Sequence, residues 1–302
     1  MSGKETILVG VDGSPESLEA AEWAGVRAQQ SGSKLQVLCA YALPSYTAAS
    51  MDSGFAVVDN DAIRESAQTV VDEAISHLNK LGYQAEGRVE AGDPTAILVQ
   101  LSQQVDLIVV GTRGGGGFTD RLLGATSSAL PAYSRCPVVV VPRRGGADDQ
   151  FVPVKKIVIG FDGSTRSRKS LRRSIKEAQV WGAELTAVDA VPLASSAGIL
   201  SWLPATVDRD SILRDVRDQL KQTCQEETAG SGVKVHSHAL DGNPAALLTE
   251  FSTAVDLVVV GTRGGGGFAG ALMGSTSQSI LAHAACPVLV VPTGDRESGA
   301  EE

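Results

Sequence analysis

Two tandem α/β domains, each a doubly wound five-stranded, mainly parallel sheet, are predicted by three observations. The chain has 302 residues, about twice the roughly 150 residues of an ordinary domain. One segment, VGVDGS at 9–14, returns as IGFDGS at 159–164, an offset of 150 residues. Short runs of Val, Ile and Leu, apolar on both faces, alternate with longer helical stretches, as strands covered by helices on each side require.

The same offset carries Gly92-Asp93-Pro94 onto Gly242-Asn243-Pro244 and Cys136-Pro137-Val138 onto Cys286-Pro287-Val288. Between 111–142 and 261–292, 19 of 32 positions are identical, so a whole domain is duplicated rather than a short solenoid unit. The expected division is a first domain at 1–143, a polar Gly-containing linker at 144–152, a second domain at 153–293 and a fraying acidic tail at 294–302. In the first copy the runs predict strands at about 6–11, 34–41, 84–90, 106–110 and 137–141. Ser14-Pro15, Asp93-Pro94 and Asn243-Pro244 predict helix starts, each giving a cap oxygen before a proline whose missing N–H costs nothing at the first helical position. Segments 42–60 and 192–209 differ between copies and read as variable loops, either covering a site or uninvolved.

Composition narrows the function. Hydrophobic residues at 43% supply a core for each half, and no apolar run reaches the roughly 20 residues of a membrane span. The amino terminus lacks the pattern of a signal peptide, and a cytoplasmic protein is expected. A net charge of −9 repels nucleic acid and anionic lipid surfaces, though a local basic patch is compatible with one small anion. Cys39, Cys136, Cys224 and Cys286 form no CxxC and read as reduced packing thiols. His236 and His238 share a strand face without a third ligand, so no metal centre is expected.

In a doubly wound sheet, ligands collect beyond the carboxyl ends of the strands where strand order reverses. Two marked segments fall there in each copy. The first follows strand one: Gly10 and Asp12, with their twins Gly160 and Asp162. The carboxylate either meets a ribose hydroxyl or Mg²⁺, or caps the turn and helix that follow. The second follows strand four: Gly111, Thr112, Arg113, Gly114, Gly115, Gly116 and Gly117, repeated as Gly261, Thr262, Arg263, Gly264, Gly265, Gly266 and Gly267. It leads to Gly124, Ala125, Thr126 and Ser127, and to Gly274, Ser275, Thr276 and Ser277. Glycines allow close approach to the main chain, and a following helix start turns unpaired N–H groups and its positive dipole end toward the same space. With Arg113 or Arg263 beside it, this is a phosphate cradle, or else a glycine loop with a helix cap. Retention of GTRGGGGF in both copies favours the cradle. No GxxxxGK[ST] is present, and a GxGxxG at Gly265, Gly267 and Gly270 follows the wrong strand for a dinucleotide fingerprint.

These residues resemble the universal stress proteins, in the tandem form common in actinobacteria. The family's ATP-binding signature is Gly, two residues, Gly, nine residues, Gly, then Ser or Thr. The second copy matches it at Gly261, Gly264, Gly274 and Ser275; the first matches at Gly111, Gly114 and Gly124 but has Ala125 in the hydroxyl position. The resemblance implies ATP as ligand, with Asp12 and Asp162 against the nucleoside and the backbone of Ala40 and Ala190 against adenine. It also implies pairing through the last strand, giving an internal pseudo-dimer of the two domains and association of two chains into a homodimer. A lost hydroxyl contact to phosphate costs about 1.5–3 kcal/mol, so the second site is expected to bind more tightly. The favoured function is a nucleotide-binding regulator of stress survival or growth. The alternatives are a slow ATPase using the same sites, with neither a Lys nor a second acidic residue standing out in both loops, and a ligand-free structural module, which the intact second signature opposes.

Overall fold

The computed structural model describes residues 4–42, 60–112, 123–143, 152–193, 208–265 and 272–293. The expected variable loops, the centre of the linker, the tail, and Arg113, Gly114, Gly115, Gly116, Gly117, Gly266 and Gly267 lie outside these residues, apart from the outermost positions of each loop.

The first half runs β1 (Thr6–Gly10), α1 (Pro15–Ser31), β2 (Lys34–Tyr41), α2 (Asn60–Lys80), β3 (Glu86–Ala91), α3 (Pro94–Leu101), β4 (Leu107–Gly111), α4 (Ala125–Tyr133) and β5 (Val138–Val141). The second repeats it as β6 (Lys156–Phe161), α5 (Thr165–Trp181), β7 (Glu184–Val191), α6 (Arg209–Thr228), β8 (Val235–Asp241), α7 (Pro244–Phe251), β9 (Leu257–Gly261), α8 (Ser275–His283) and β10 (Val288–Val291). The helix starts lie where the caps predict. Ser14 accepts from the Ser17 amide at 3.2 Å, Asp93 from Ala96 at 2.8 Å, and Asn243 from Ala245 at 2.9 Å. α1 and α5 both stop at a left-handed glycine, Gly32 (φ 66°) and Gly182 (φ 64°), a conformation an L side chain resists.

The strands alternate their side chains between two apolar layers. Ile7 and Val9 face Trp23, Ala24 and Val71 under α1 and α2, while Leu8 faces Leu98 and Leu130 under α3 and α4. All are fully buried or nearly so, each contributing about 1.5–3 kcal/mol for its larger side chains. Each half has parallel strands in the order 3-2-1-4-5. The two halves are joined edge to edge in one ten-stranded sheet, β3-β2-β1-β4-β5-β10-β9-β6-β7-β8. The junction is antiparallel, with Val139 opposite Leu289, so neither valine-rich edge is left open to pair with other chains. The four cysteines are free and buried, and burial pushes the Cys136 and Cys286 thiols up to about 11 and about 12. Among the described residues, no helix is long and apolar enough to cross a membrane.

Candidate functional site

Strand order reverses between β1 and β4 in the first half and between β6 and β9 in the second, and a ligand crevice is expected beyond their carboxyl ends. In the second half a cavity of about 330 Å³ opens at that place. Its floor is apolar: Val188 and Ala190 at the end of β7, Leu248 from α7 and Val260 from β9. Gly160 closes the floor, where a Cβ would stand 2.6 Å from Leu248 Cδ1. At Gly261 a Cβ would stand 2.7 Å from Thr293 Cγ2 and 3.0 Å from Ser170 Oγ. The matching atom on Gly111 would meet the Glu16 carbonyl oxygen at 2.8 Å. Close packing against neighbouring elements therefore accounts for these strand-end glycines.

The rim is polar. Asp162, Arg263, Gly264, Gly274, Ser275 and Thr276 border the cavity. Gly274 is the N-cap of α8 and offers no side chain to its first-turn amides, which leaves the positive end of the helix directed at the cavity. Ser277 also borders it, but its Oγ donates to the Gly261 carbonyl at 2.6 Å and ties the helix start to the strand end. Thr262 turns the other way: it is buried, 3.0 Å from the Thr293 hydroxyl, and its own hydroxyl accepts from the Thr293 amide at 3.1 Å. The Arg263 amide in turn donates to Thr293 Oγ1 at 3.2 Å, so Thr293 pins the first residues of the glycine loop.

Asp162 fits the turn-capping reading made of it from sequence. Its Oδ1 accepts from the Ser164 amide at 3.1 Å and the Ser164 hydroxyl at 2.6 Å, a turn-capping pattern. Its Oδ2 reaches across the cleft and accepts from the Gly265 amide at 2.7 Å. Burial alone would raise this carboxyl, but the hydrogen bonds from Ser164 and Gly265 outweigh it and hold the group below its usual range. A second carboxylate stands close by. Asp189 on β7 is next to Phe161 of β6 in register, and burial, followed by the charge of Asp162, pushes it up to about 6.

The first half repeats the frame with different details. Asp12 Oδ1 accepts from the Ser14 amide at 3.0 Å and hydroxyl at 2.5 Å. Gly10 ends β1, Ala40 lies in β2, and Thr112 follows β4. Gly124 caps α4 without a side-chain bond, and Ala125 begins it. Thr126 Oγ1 accepts from the Thr95 hydroxyl at 3.2 Å, and Ser127 Oγ donates to the Thr112 carbonyl at 2.7 Å. Arg143 stands where the second half has Thr293 and forms an ion pair with Glu16 at 3.7 Å. Cys39 stands where the second half has Asp189. Sequence reasoning passed over Thr293 and Asp189. Neither carries a motif, and each is distinctive only in what its counterpart lacks.

The sequence profile of the universal stress protein family matches residues 4–142 and 153–292. The chain is 30% identical over 318 aligned residues to a universal stress protein of Mycobacterium tuberculosis, covering 96% of each chain. It is 32% identical over 298 residues to a universal stress protein of Mycolicibacterium smegmatis, covering 94% of this chain and 96% of that one. In fold it is similar to the crystal structure of a universal stress protein from Archaeoglobus fulgidus, with a TM-score of 0.68 at 23% identity and 97% of each chain covered.

Proposed function

The chain belongs to the universal stress protein family, and from that premise we propose that it is a cytoplasmic ATP-binding regulator of stress survival or growth. The observation that carries this reading is the convergence, in one cavity of the second half, of an apolar floor, the Asp162 carboxylate and the uncapped start of α8. These are the three chemistries of a nucleotide. Val188, Leu248 and Val260 suit a base, and the backbone of Ala190 at the strand end suits its polar edge. Asp162 suits ribose hydroxyls. The α8 amides, the hydroxyls of Ser275 and Thr276 and the Arg263 cation suit phosphates, with Mg²⁺ arriving on the nucleotide. The glycine loop on the first half, through Gly124, supplies a second and weaker site, because Ala125 replaces the hydroxyl of Ser275. Two such chains associate further as a homodimer.

The test is to denature the purified, unsupplemented protein and quantify released nucleotide per chain, then titrate ATP into stripped protein by calorimetry. About one tightly bound ATP per chain, lost in Gly264→Ala and kept in Gly114→Ala, supports the reading. No released nucleotide and no heat at millimolar ATP refute it. Steady conversion to ADP by both sites replaces the regulator with an ATPase.

A further inference from the structure

The two halves meet through α1 and α5 as well as through β5 and β10. At the centre of the helix contact Arg27 and Glu177 form a bidentate ion pair, Nε to Oε2 at 2.7 Å and Nη2 to Oε1 at 3.1 Å. Their side chains are 0% and 1% exposed. The two positions are 150 residues apart, the offset of the duplication, so they are the same position in the two copies. Val139 and Leu289, paired across the strand junction, have the same relation. The pseudo-twofold axis that relates the halves therefore passes through both pairs.

We propose that Arg27 and Glu177 are a pairing code, by which each half takes the other as its partner and rejects a second copy of itself. On a twofold axis a residue faces its own equivalent. Two first halves joined in this way would oppose Arg27 to Arg27, and two second halves would oppose Glu177 to Glu177, in both cases without water. Like charges placed together in this way are strongly unfavourable, whereas the mixed pairing compensates both. A buried ion pair is a poor source of net stability compared with apolar residues of similar size, so selectivity gives a reason for its presence that stability does not.

The surroundings are equally divided. Half one adds Glu5; half two adds Arg173, which reaches Glu177 at 2.7 Å and Glu5 at 3.6 Å, and Lys176, which reaches Glu5 at 2.9 Å. The counterparts of Glu5, Arg173 and Lys176 are Lys155, Trp23 and Val26, so none of these positions keeps its residue in both copies. The apolar part is one-sided too. Trp23 meets Trp181 across the junction with ring centroids 5.7 Å apart, and the counterpart of Trp181 is Ser31.

The test uses full-length chains. Glu177→Arg gathers Arg27, Arg173, Lys176 and the new arginine around Glu5 alone, and it is expected to shift the folding equilibrium toward the unfolded or opened chain by more than tenfold. Adding Arg27→Glu in the same chain is expected to recover most of that loss, because the pair is re-formed with its charges exchanged. Selectivity is read in trans. Differently tagged Arg27→Glu and Glu177→Arg chains are refolded together, so that the new glutamate of one can meet the new arginine of the other. Native mass spectrometry is expected to show mixed-chain complexes clearly in excess of the statistical share that random association of two differently tagged wild-type chains gives. Failure of Arg27→Glu to rescue Glu177→Arg in cis, or a mixed-chain share no higher than wild type, overturns the proposal. If Glu177→Arg alone does not fold, the double variant and the mixture still decide it.

Discussion

Asp162 Oδ2 accepts the Gly265 amide proton at 2.7 Å, so a carboxylate from the loop after β6 holds the start of the glycine loop after β9. An ideal Cβ on the intervening Gly264 would fall inside contact distance of that same oxygen. Gly264→Ala must therefore move either the carboxylate or the loop. The expected result is a loss of about tenfold or more in ATP affinity at the second site, about 1.4 kcal/mol. The change in stability should be small, because this segment lies outside both apolar cores. Calorimetric titration beside urea unfolding checks both parts, and unchanged affinity would remove Gly264 from the site.

Asp162→Asn tests the same contact from the other side. The folded protein holds the Asp162 carboxyl below its usual value, so its contribution is present above the unfolded pKa near 4 and is lost as pH falls through the lower folded value. The variant should be less stable than wild type at pH 7, and the difference should be smaller at pH 3. Urea midpoints at the two pH values measure it.

Much of this arrangement was legible in the sequence, and each exception has its own physical reason. Strand 34–41 and the capped starts at Ser14, Asp93 and Asn243 follow from local apolar runs and local hydrogen bonds, which the chain states residue by residue. β3 was displaced, 86–91 rather than 84–90, because its exposed Glu86, Gly87 and Arg88 give no apolar run to mark its limits. Repetition marks Asp162 and Gly264, the family signature marks Ser275 and the family resemblance marks Ala190, and all four border one cavity. Thr262 carried the same repeat signal but faces Thr293, since repetition does not say which side of a loop a hydroxyl takes. No motif marks Arg27 or Glu177 in the sequence; only the pairing of the halves makes them buried partners.

Thr293→Val removes the hydroxyl that accepts the Arg263 amide and neighbours Thr262 Oγ1, with little change of shape. The Arg263 amide and the buried Thr262 hydroxyl would each lose a partner, a cost of about 1–3 kcal/mol. Faster amide exchange at Arg263 and weaker binding at the second site are expected together. The first half, with Arg143 in this position, should be unaffected at its own loop.

Asp189 brings a second pH dependence, of opposite sign to that of Asp162. Burial, with the charge of Asp162 next to it, pushes the Asp189 carboxyl up to about 6, so the folded state disfavours its ionised form. Its protonated form is favoured by folding: stability is fully present below the unfolded pKa near 4 and declines as pH rises through about 6. The expected decline, after screening, is about 1 kcal/mol. Asp189→Asn should flatten the stability curve between pH 4 and 7 and leave the variant more stable than wild type at pH 7. The same ionisation adds negative charge beside the site where a polyanionic nucleotide is proposed to lie, so wild-type affinity at the second site should fall as pH rises from 5 to 7. Asp189→Cys installs the residue the first half uses at this position, Cys39, and should remove both effects. If the stability curves of wild type and both variants run parallel through pH 6, Asp189 does not titrate there and the paired-carboxylate account of this strand end is wrong.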